Sequence, residues 1–484
     1  MNREFEQLLD KVRREGGEIR SDSREVGKGD IFVAVPGVNA DGARFIPPAV
    51  EAGASTIVCL PGGAEAEAAR AAGCTVVHHD DPREALWRLA EARWHTGSLP
   101  LRVLGVTGTN GKTTSAYLLE HLFTATGHKV GVLGTVSYRW PGHCEAAPLT
   151  TPDPLRVHAM LAVMAQAGVD IAVMEVSSHA LEQQRVCGVP FAGASFSNLT
   201  QDHLDFHQDM ESYFRAKSRL FLELPRADKV MAINGDDPWG RRLLELCPRA
   251  LSFGLQKALP QQRHLWGELL SAGTDGCHLR MHLDGQQWEL RSPLVGAFNA
   301  SNLLSVQALA LELGLMPDDL RHLEDFHGVC GRLERVPNAR KLHVFVDYAH
   351  TPDALVNVLK ALRGAGFKRI VTVFGCGGNR DRTKRPIMGE AVARYSDVAV
   401  LTSDNPRFED PEAILKDVLP GLREAREVVV EVDRRKATAK AVEMLGPDDA
   451  LLIAGKGHED YQIIQGTKHH YSDQEVVREL LGCA

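Results

Sequence analysis

Apolar positions along the chain gather in short runs that end in glycine or polar residues, and these alternate with stretches of helical spacing. Ile31 to Gly37 (IFVAVPG) and Ser55 to Gly62 (STIVCLPG) read as short buried strands closed by turns, which predicts a small α/β domain at the start. Leu101 to Val106, Ile171 to Val176 and Lys229 to Ile233 are strand-like and alternate with helical patterns, as in a parallel sheet with helices on both faces. A third region of this kind opens near Lys341 with LHVFVDYAH and continues through RIVTVFGC, DVAVLTSDNPR and ALLIAGKGHED. In open α/β sheets ligands sit beyond the carboxyl ends of the strands, so these four strand ends are expected site positions. The expected fold class is α/β, divided into residues 1–97, 98–335 and 336–484, with no internal repeat or low-complexity linker.

A chain of 484 residues is too long for one core and fits several domains. Apolar residues at 44% and charged residues at 24% are ordinary for a packed soluble protein. The net charge of -8 argues against a general grip on nucleic acid, so an anionic ligand must be held locally. The N-terminus has no apolar h-region and no stretch is long enough to span a membrane, so the expectation is a cytoplasmic protein. The nine cysteines show no CxxC pair or zinc spacing and are expected to be packing residues; Cys376, in GCGGNR, lies near a candidate site.

Gly105-Val-Thr-Gly-Thr-Asn-Gly-Lys-Thr-Thr114 follows an apolar strand and precedes SAYLLEHLF, where Tyr117, Leu118, Leu122 and Phe123 share a helical face. Backbone N–H groups of Gly108, Thr109, Asn110 and Gly111 can converge on phosphate oxygens. Lys112 offers a cation, and Thr113 and Thr114 offer hydroxyls at the helix start. Five residues separate Gly105 from Gly111 where the usual pattern has four, so the loop is a variant. No Asn-Lys-x-Asp guanine signature follows, which favours ATP over GTP.

The loop spelling Thr-Gly-Thr-Asn-Gly-Lys-Thr resembles that of the Mur ligases, and further segments agree in order along almost the whole chain. They include Asp22-Ser23-Arg24, Thr150-Thr151-Pro152, Met174-Glu-Val-Ser-Ser-His-Ala-Leu181, Asn198 to Asp205, Ala216 to Phe221 and Phe298 to Asn302. Gly331 to Glu334, Asp347 to Pro352, Gly377 to Asp381, Asp404 to Arg407 and Gly455 to Glu459 complete the set. The resemblance implies a UDP-binding N-terminal domain, a central ATPase domain and a Rossmann-like amino-acid-binding domain. It also implies an ATP-dependent, amide-forming enzyme of peptidoglycan synthesis, and so of cell-wall biogenesis, cell shape and cell division. The best agreement is with the branch adding meso-diaminopimelate to UDP-N-acetylmuramoyl-L-alanyl-D-glutamate through an acyl phosphate.

Carried over residue by residue, the resemblance implies that Glu175 and Thr113 hold Mg2+ beside ATP. His203 matches a ligand or orienting group for a second Mg2+, although that hard cation prefers oxygen. Lys217 matches a lysine carbamylated to N6-carboxylysine, an anion able to approach the metal; the bland alternative is a solvated helix lysine. Asn302 resembles an adenine reader, Asp347 a ribose contact, and Arg332 a cation reaching the γ-phosphate from another domain. His350 receives no catalytic role.

Ser21, Ser23, Val38, Asn39 and Ala40 match uridine-contacting positions, with Ser21 and Val38 departing from relatives. Thr150, Thr151, Ser177, Gln183 and Arg185 match contacts to the muramoyl dipeptide and pyrophosphate, against the alternative of caps and turns. Arg380, Asp404, Asn405, Pro406, Arg407, Gly455 and Glu459 match the diaminopimelate site. Diaminopimelate is lysine with an added carboxylate, so Arg407, Arg380 and Asn405 would supply its donors and Glu459 would take the distal ammonium. A truly buried Arg407 would reject lysine by on the order of a thousandfold. Asn379 replaces the aspartate of a common Gly-Gly-Asp-Arg spelling. Competing readings are an L-lysine-adding ligase, a folylpolyglutamate-synthase-like ligase and an ATP-binding scaffold without turnover. A monomer acting on small molecules, without nucleic acid, is expected.

Overall fold

The computed structural model describes residues 3–37, 41–202, 204–257 and 263–482, except for the side chains of residues 204, 205 and 225–228. The chain forms two compact units, Met1–Gly254 with Ala258–Leu265 and Leu304–Leu320, and Leu255–Lys257 with Trp266–Leu303 and Arg321–Ala484.

The first unit begins with helix Arg3–Glu15, whose Phe5, Leu8, Leu9 and Val12 recur at three- and four-residue spacing and are buried. Strands Ile19–Arg20, Ile31–Val33, Thr56–Cys59 and Thr75–His78 form a parallel sheet in that order. Helix Pro82–Trp94 starts at Asp81, whose carboxylate accepts from the N–H groups of Arg83 and Glu84, with Pro82 in the position where no donor is needed. The same unit carries a larger parallel array in the order Leu251–Gly254, Pro225–Asn234, Phe191–Phe196, Arg102–Thr107, Ile171–Glu175 and Val130–Leu133. The antiparallel strands Ser137–Trp140 and His143–Ala146 extend its edge. The register sets Val106 opposite Glu175 and Thr107 opposite Phe196, so three strand ends lie side by side.

In the second unit a sheet runs Glu334–Arg335, His343–Asp347, Asp449–Ala454, Arg369–Phe374, Val398–Leu401 and Val428–Val430, parallel except for its first pair. Its central strands are almost continuously Val, Leu and Ile because apolar clusters cover both faces. The four strands read from the sequence near Lys341 are all present. Antiparallel strands Gly276–Leu283 and Gln286–Ser292, and Tyr461–Ile464 with Thr467–His470, are additions to that reading. Asp284-Gly285 and Gln465-Gly466 turn these two hairpins with positive φ at both residues, the geometry that matches strand twist.

Cys59, Cys187, Cys247, Cys277 and Cys376 are buried as expected of packing residues, but Cys144 and Cys330 are exposed and correct that expectation. Cys376 packs its sulfur 3.6 Å from Met388, and burial pushes its thiol up to about 12. Arg434 and Asp473 are wholly buried and joined by two hydrogen bonds of 2.9 and 2.8 Å; Arg434 also donates to the Ala454 carbonyl. Removing one partner of such a pair strands the other charge away from water. Asp473→Ala should therefore destabilise the second unit by about 3–5 kcal/mol, read as a lowered urea midpoint; an unchanged midpoint would refute the pair's role.

Candidate functional site

The phosphate loop leaves strand Arg102–Thr107, and Gly111 at φ 89° opens helix Lys112–Ala125. Gly108 is at φ 151°, and a Cβ there would lie 1.9 Å from Ser197 Oγ, so the close approach demands glycine. Asn198 holds the loop: its carbonyl accepts from Thr109 N–H at 2.9 Å and its Oδ1 from Asn110 N–H at 3.0 Å. Lys112 Nζ donates to the carbonyls of Gly108 and Thr109 at 2.8 and 2.9 Å. Thr114 is half-buried in the first helical turn.

Glu175 ends the neighbouring strand with 0% exposure. Thr113 and Thr135 each donate a hydroxyl to Oε2 at 2.9 Å, and Thr135 N–H donates to Oε1 at 2.9 Å. A side chain at Gly134 would strike Oε1 at 2.3 Å. A carboxylate and a hydroxyl beside a phosphate loop are hard oxygen donors of the kind Mg2+ takes, so these residues fit that cation. Among the described residues no group of three His, Cys, Asp or Glu gathers to hold a metal. His203 lies outside the described residues.

Lys217 is 1% exposed on helix Met210–Leu222, so it is not a solvated helix lysine. Its Nζ donates to the Gly108 carbonyl at 2.9 Å and sits 4.7 Å over the Tyr213 ring. Burial pushes its ammonium well below the ordinary lysine range and the nearby Lys112 charge adds to this, while Asp202 opposes it. The amine is thereby biased toward its neutral form.

Beside Glu175 the structure gathers Thr150, Thr151, Ser177, Gln183 and Arg185. Thr151 donates to the Glu175 carbonyl at 2.7 Å and accepts from Ser177 N–H at 3.1 Å, and Thr150 lies 3.1 Å from Thr135 across their hydroxyls. Arg185 donates to Thr151 O at 3.0 Å and to Gln183 Oε1 at 2.7 Å. Ser177 also caps helix Ser178–Glu182. Thr135 and Gln184 were not read from the sequence. Gln184 is at φ 56°, accepts from Trp87 Nε1 at 3.2 Å and donates to Asp81 at 2.8 Å, which ties this cluster to the N-terminal sheet region. Ser21 is exposed and Ser23 half-buried, while Val38, Asn39 and Ala40 lie outside the described residues.

The second unit carries the other expected residues. Asn302 is buried and donates to Asn299 Oδ1 at 3.1 Å. Asp347 accepts from Leu333 and Ala349 N–H at 2.6 and 2.7 Å, and burial raises its carboxyl above the usual range. The carboxylate thus holds the loop bearing Arg332, whose guanidinium lies 5.1 Å over the Tyr348 ring and whose Nε is buried without a hydrogen-bond partner among the described residues. His350 is exposed with Nδ1 2.7 Å from the Tyr348 carbonyl.

At the C-terminal strand ends Asp404, Asn405, Pro406 and Gly455 are buried, and Glu459 and Arg407 are half-buried. Arg407 is at φ 56° and its Nη1 donates to the Gly378 carbonyl at 2.8 Å. Gly378 N–H donates to Asn405 O at 2.9 Å, and a Cβ at Gly378 would strike Pro406 O at 1.9 Å, so the two loops are pressed together. Asn379 is at φ 53°, where asparagine is among the most tolerant side chains, and its Oδ1 accepts from Phe408 N–H at 3.1 Å. Arg380 is exposed.

Family models described as the Mur ligase family catalytic domain, the Mur ligase middle domain and the Mur ligase glutamate ligase domain match residues 17–94, 106–310 and 331–457. The chain is 56% identical over 463 residues to a UDP-N-acetylmuramoyl-L-alanyl-D-glutamate--2,6-diaminopimelate ligase of Lawsonia intracellularis, covering 96% of this chain and 95% of that one. A protein of the same name from Thermosynechococcus vestitus is 44% identical over 468 residues, covering 96% and 92%. A solved structure of a ligase with that name aligns with TM-score 0.69 and 32% identity over 96% and 94% of the two chains. A folylpolyglutamate synthase from Mycobacterium tuberculosis shares the fold at TM-score 0.58 and 19% identity, over 82% of this chain and 94% of that one.

Glu175→Gln should keep the fold yet lower ATP-dependent turnover by about 100- to 1000-fold, measured as phosphate release; turnover within threefold of the unaltered chain would remove Glu175 from the site. For Lys217, 13C-bicarbonate should give a carbamate resonance that Lys217→Met abolishes, and that fades as pH falls and the amine takes a proton. A resonance indifferent to that substitution would refute the modification.

Proposed function

We propose a specific reaction for this chain, which belongs to the Mur ligase family: ATP-dependent joining of meso-diaminopimelate to UDP-N-acetylmuramoyl-L-alanyl-D-glutamate. The observation that carries the reading is the buried Glu175, flanked on one side by the phosphate loop and on the other by Thr150, Thr151 and Arg185. One strand end can then serve both a nucleotide and an oxyanionic acceptor.

The acceptor carboxylate attacks the γ-phosphate of ATP, ADP leaves, and the amine of diaminopimelate attacks the acyl phosphate and releases inorganic phosphate. Little covalent work falls to the protein, so its residues position groups and neutralise charge. Lys112 and the N–H groups of residues 108–111 cradle phosphates; Thr113 and Glu175 hold Mg2+, with carbamylated Lys217 adding a negative charge nearby. When bound, Mg2+ neutralises charge developing on the phosphate oxygens. We assign Asn302, Asp347 and Arg332 to the nucleotide, Ser21 and Ser23 to uridine, and the strand ends around Arg407 to diaminopimelate. The corresponding domains are 1–97, 98–335 and 336–484. His203 and residues 38–40 keep their assignments from the sequence.

Small-molecule substrates, a monomer and a cytoplasmic location complete the proposal; among the described residues no helix is long and apolar enough to cross a membrane. Arg407 is half-buried rather than enclosed, so an unmatched guanidinium costs about 2–3 kcal/mol. That gives selectivity against lysine of about 30- to 150-fold, less than full burial would allow.

Phosphate release should require ATP, Mg2+, the UDP-linked dipeptide and diaminopimelate together. Lysine should be poorer by about the stated factor, and equal rates with lysine would overturn the substrate assignment. Arg407→Ala should raise the KM for diaminopimelate at least tenfold with little change for ATP; an unchanged diaminopimelate KM would take Arg407 out of the site.

A further inference from the structure

Lys456 follows strand Asp449–Ala454 between two glycines of positive φ, Gly455 at 117° and Gly457 at 52°. The turn folds its side chain fully inward, to 0% exposure. Its Nζ lies 2.7 Å from the Tyr461 carbonyl, 3.1 Å from Asn405 Oδ1, 3.2 Å from Asp404 Oδ1 and 3.7 Å from Glu459 Oε2. One cation therefore serves two carboxylates, and this cluster carries a formal charge of one lysine minus two acids, or -1.

Lys456 also decides how Asn405 is turned. With Lys456 Nζ and Ile463 N–H both donating to Oδ1, the amide nitrogen is left to donate to Glu459 Oε2 at 2.9 Å. The flipped amide would set its NH2 group against an ammonium. Beyond Asn405, the hairpin that begins at Tyr461 grips Arg407 by its backbone. Arg407 N–H donates to Ile463 O at 3.0 Å, and Arg407 O accepts from Gln465 N–H at 2.6 Å. The buried ammonium thus touches the acidic strand end, the amide and the hairpin that fixes the guanidinium.

We propose that Lys456 is a positioning residue for the amino-acid substrate. It neutralises Asp404, orients Asn405 and through it Glu459, and leaves the cluster one negative charge for an ammonium of the incoming amino acid. Buried carboxylates left without a cation are costly, which sets the charge count as the quantity that matters. The inference rests on the reading of these strand ends as the diaminopimelate site.

Steady-state kinetics of the full chain, Lys456→Met and the charge-keeping variant Lys456→Arg test it, each checked by thermal melting. The formal charge of the cluster is -1 in the unaltered chain and in Lys456→Arg, and -2 in Lys456→Met. Lys456→Met should lower kcat/KM for diaminopimelate about 100-fold while the KM for ATP stays within about threefold, and Lys456→Arg should keep at least about tenfold more than Lys456→Met. If Lys456→Met does not fold, Lys456→Arg decides alone: a fall in kcat/KM for diaminopimelate without one for ATP supports the proposal, and an equal fall toward both overturns it. A Lys456→Met variant that keeps its diaminopimelate kcat/KM overturns it. So does an equal loss toward ATP and diaminopimelate in Lys456→Met. No turnover of diaminopimelate by the unaltered chain sinks the functional reading together with this inference, whereas normal turnover beside an indifferent Lys456→Met sinks the inference alone.

Discussion

A carboxylate removed from water must collect donors, and Glu175, at 0% exposure, organises the first unit's strand ends by doing so. Its two oxygens draw in Thr113 from the phosphate helix and Thr135 from the turn after a neighbouring strand, while its own carbonyl draws in Thr151. Ser177 and Arg185 then follow through Thr151. The glycines at 108 and 134 stand where any Cβ would collide with this arrangement. Lys217 closes the loop from below, on the carbonyl of Gly108.

The second unit solves the matching problem with charge of both signs. Arg385 is almost fully buried and binds Glu409, Asp417 and the Gly377 carbonyl, so the Gly-Gly-Asn-Arg loop is fastened from behind. The end of the neighbouring strand Asp449–Ala454 is fastened both by Lys456 and by Arg434 with Asp473. Fixed groups at parallel strand ends are what a site needs to tell one amino acid from another, because a mobile donor adapts to either. Arg380 is exposed, and its Cγ and Arg407 Nη1 both lie within 4 Å of where a side chain at Gly377 would begin.

The parallel strands and the phosphate loop were legible because buried strands are written as uninterrupted Val, Leu and Ile, and glycine is required where backbone meets phosphate. Glu175, Thr151 and Arg407 were legible through motif spelling. Thr135 was not: its partner lies 40 residues away, and nothing in a Gly-Thr dipeptide marks a hydroxyl that will face a buried acid. Lys456 sat inside a recognised segment yet carried no role, since a lysine between glycines reads as a solvated turn until the fold turns it inward. The hairpin at Gly276–Ser292 was signalled by Asp284-Gly285 between alternating residues, a period-two pattern easily passed over beside stronger parallel strands.

If Glu175 and the phosphate loop serve phosphoryl transfer to a carboxylate, one oxygen of that carboxylate must leave with the phosphate. With the D-glutamate side-chain carboxylate of the UDP-linked dipeptide labelled with 18O, mass spectrometry of the released phosphate should find one labelled oxygen per turnover. Phosphate free of label, with amide formed at the normal rate, would contradict the account.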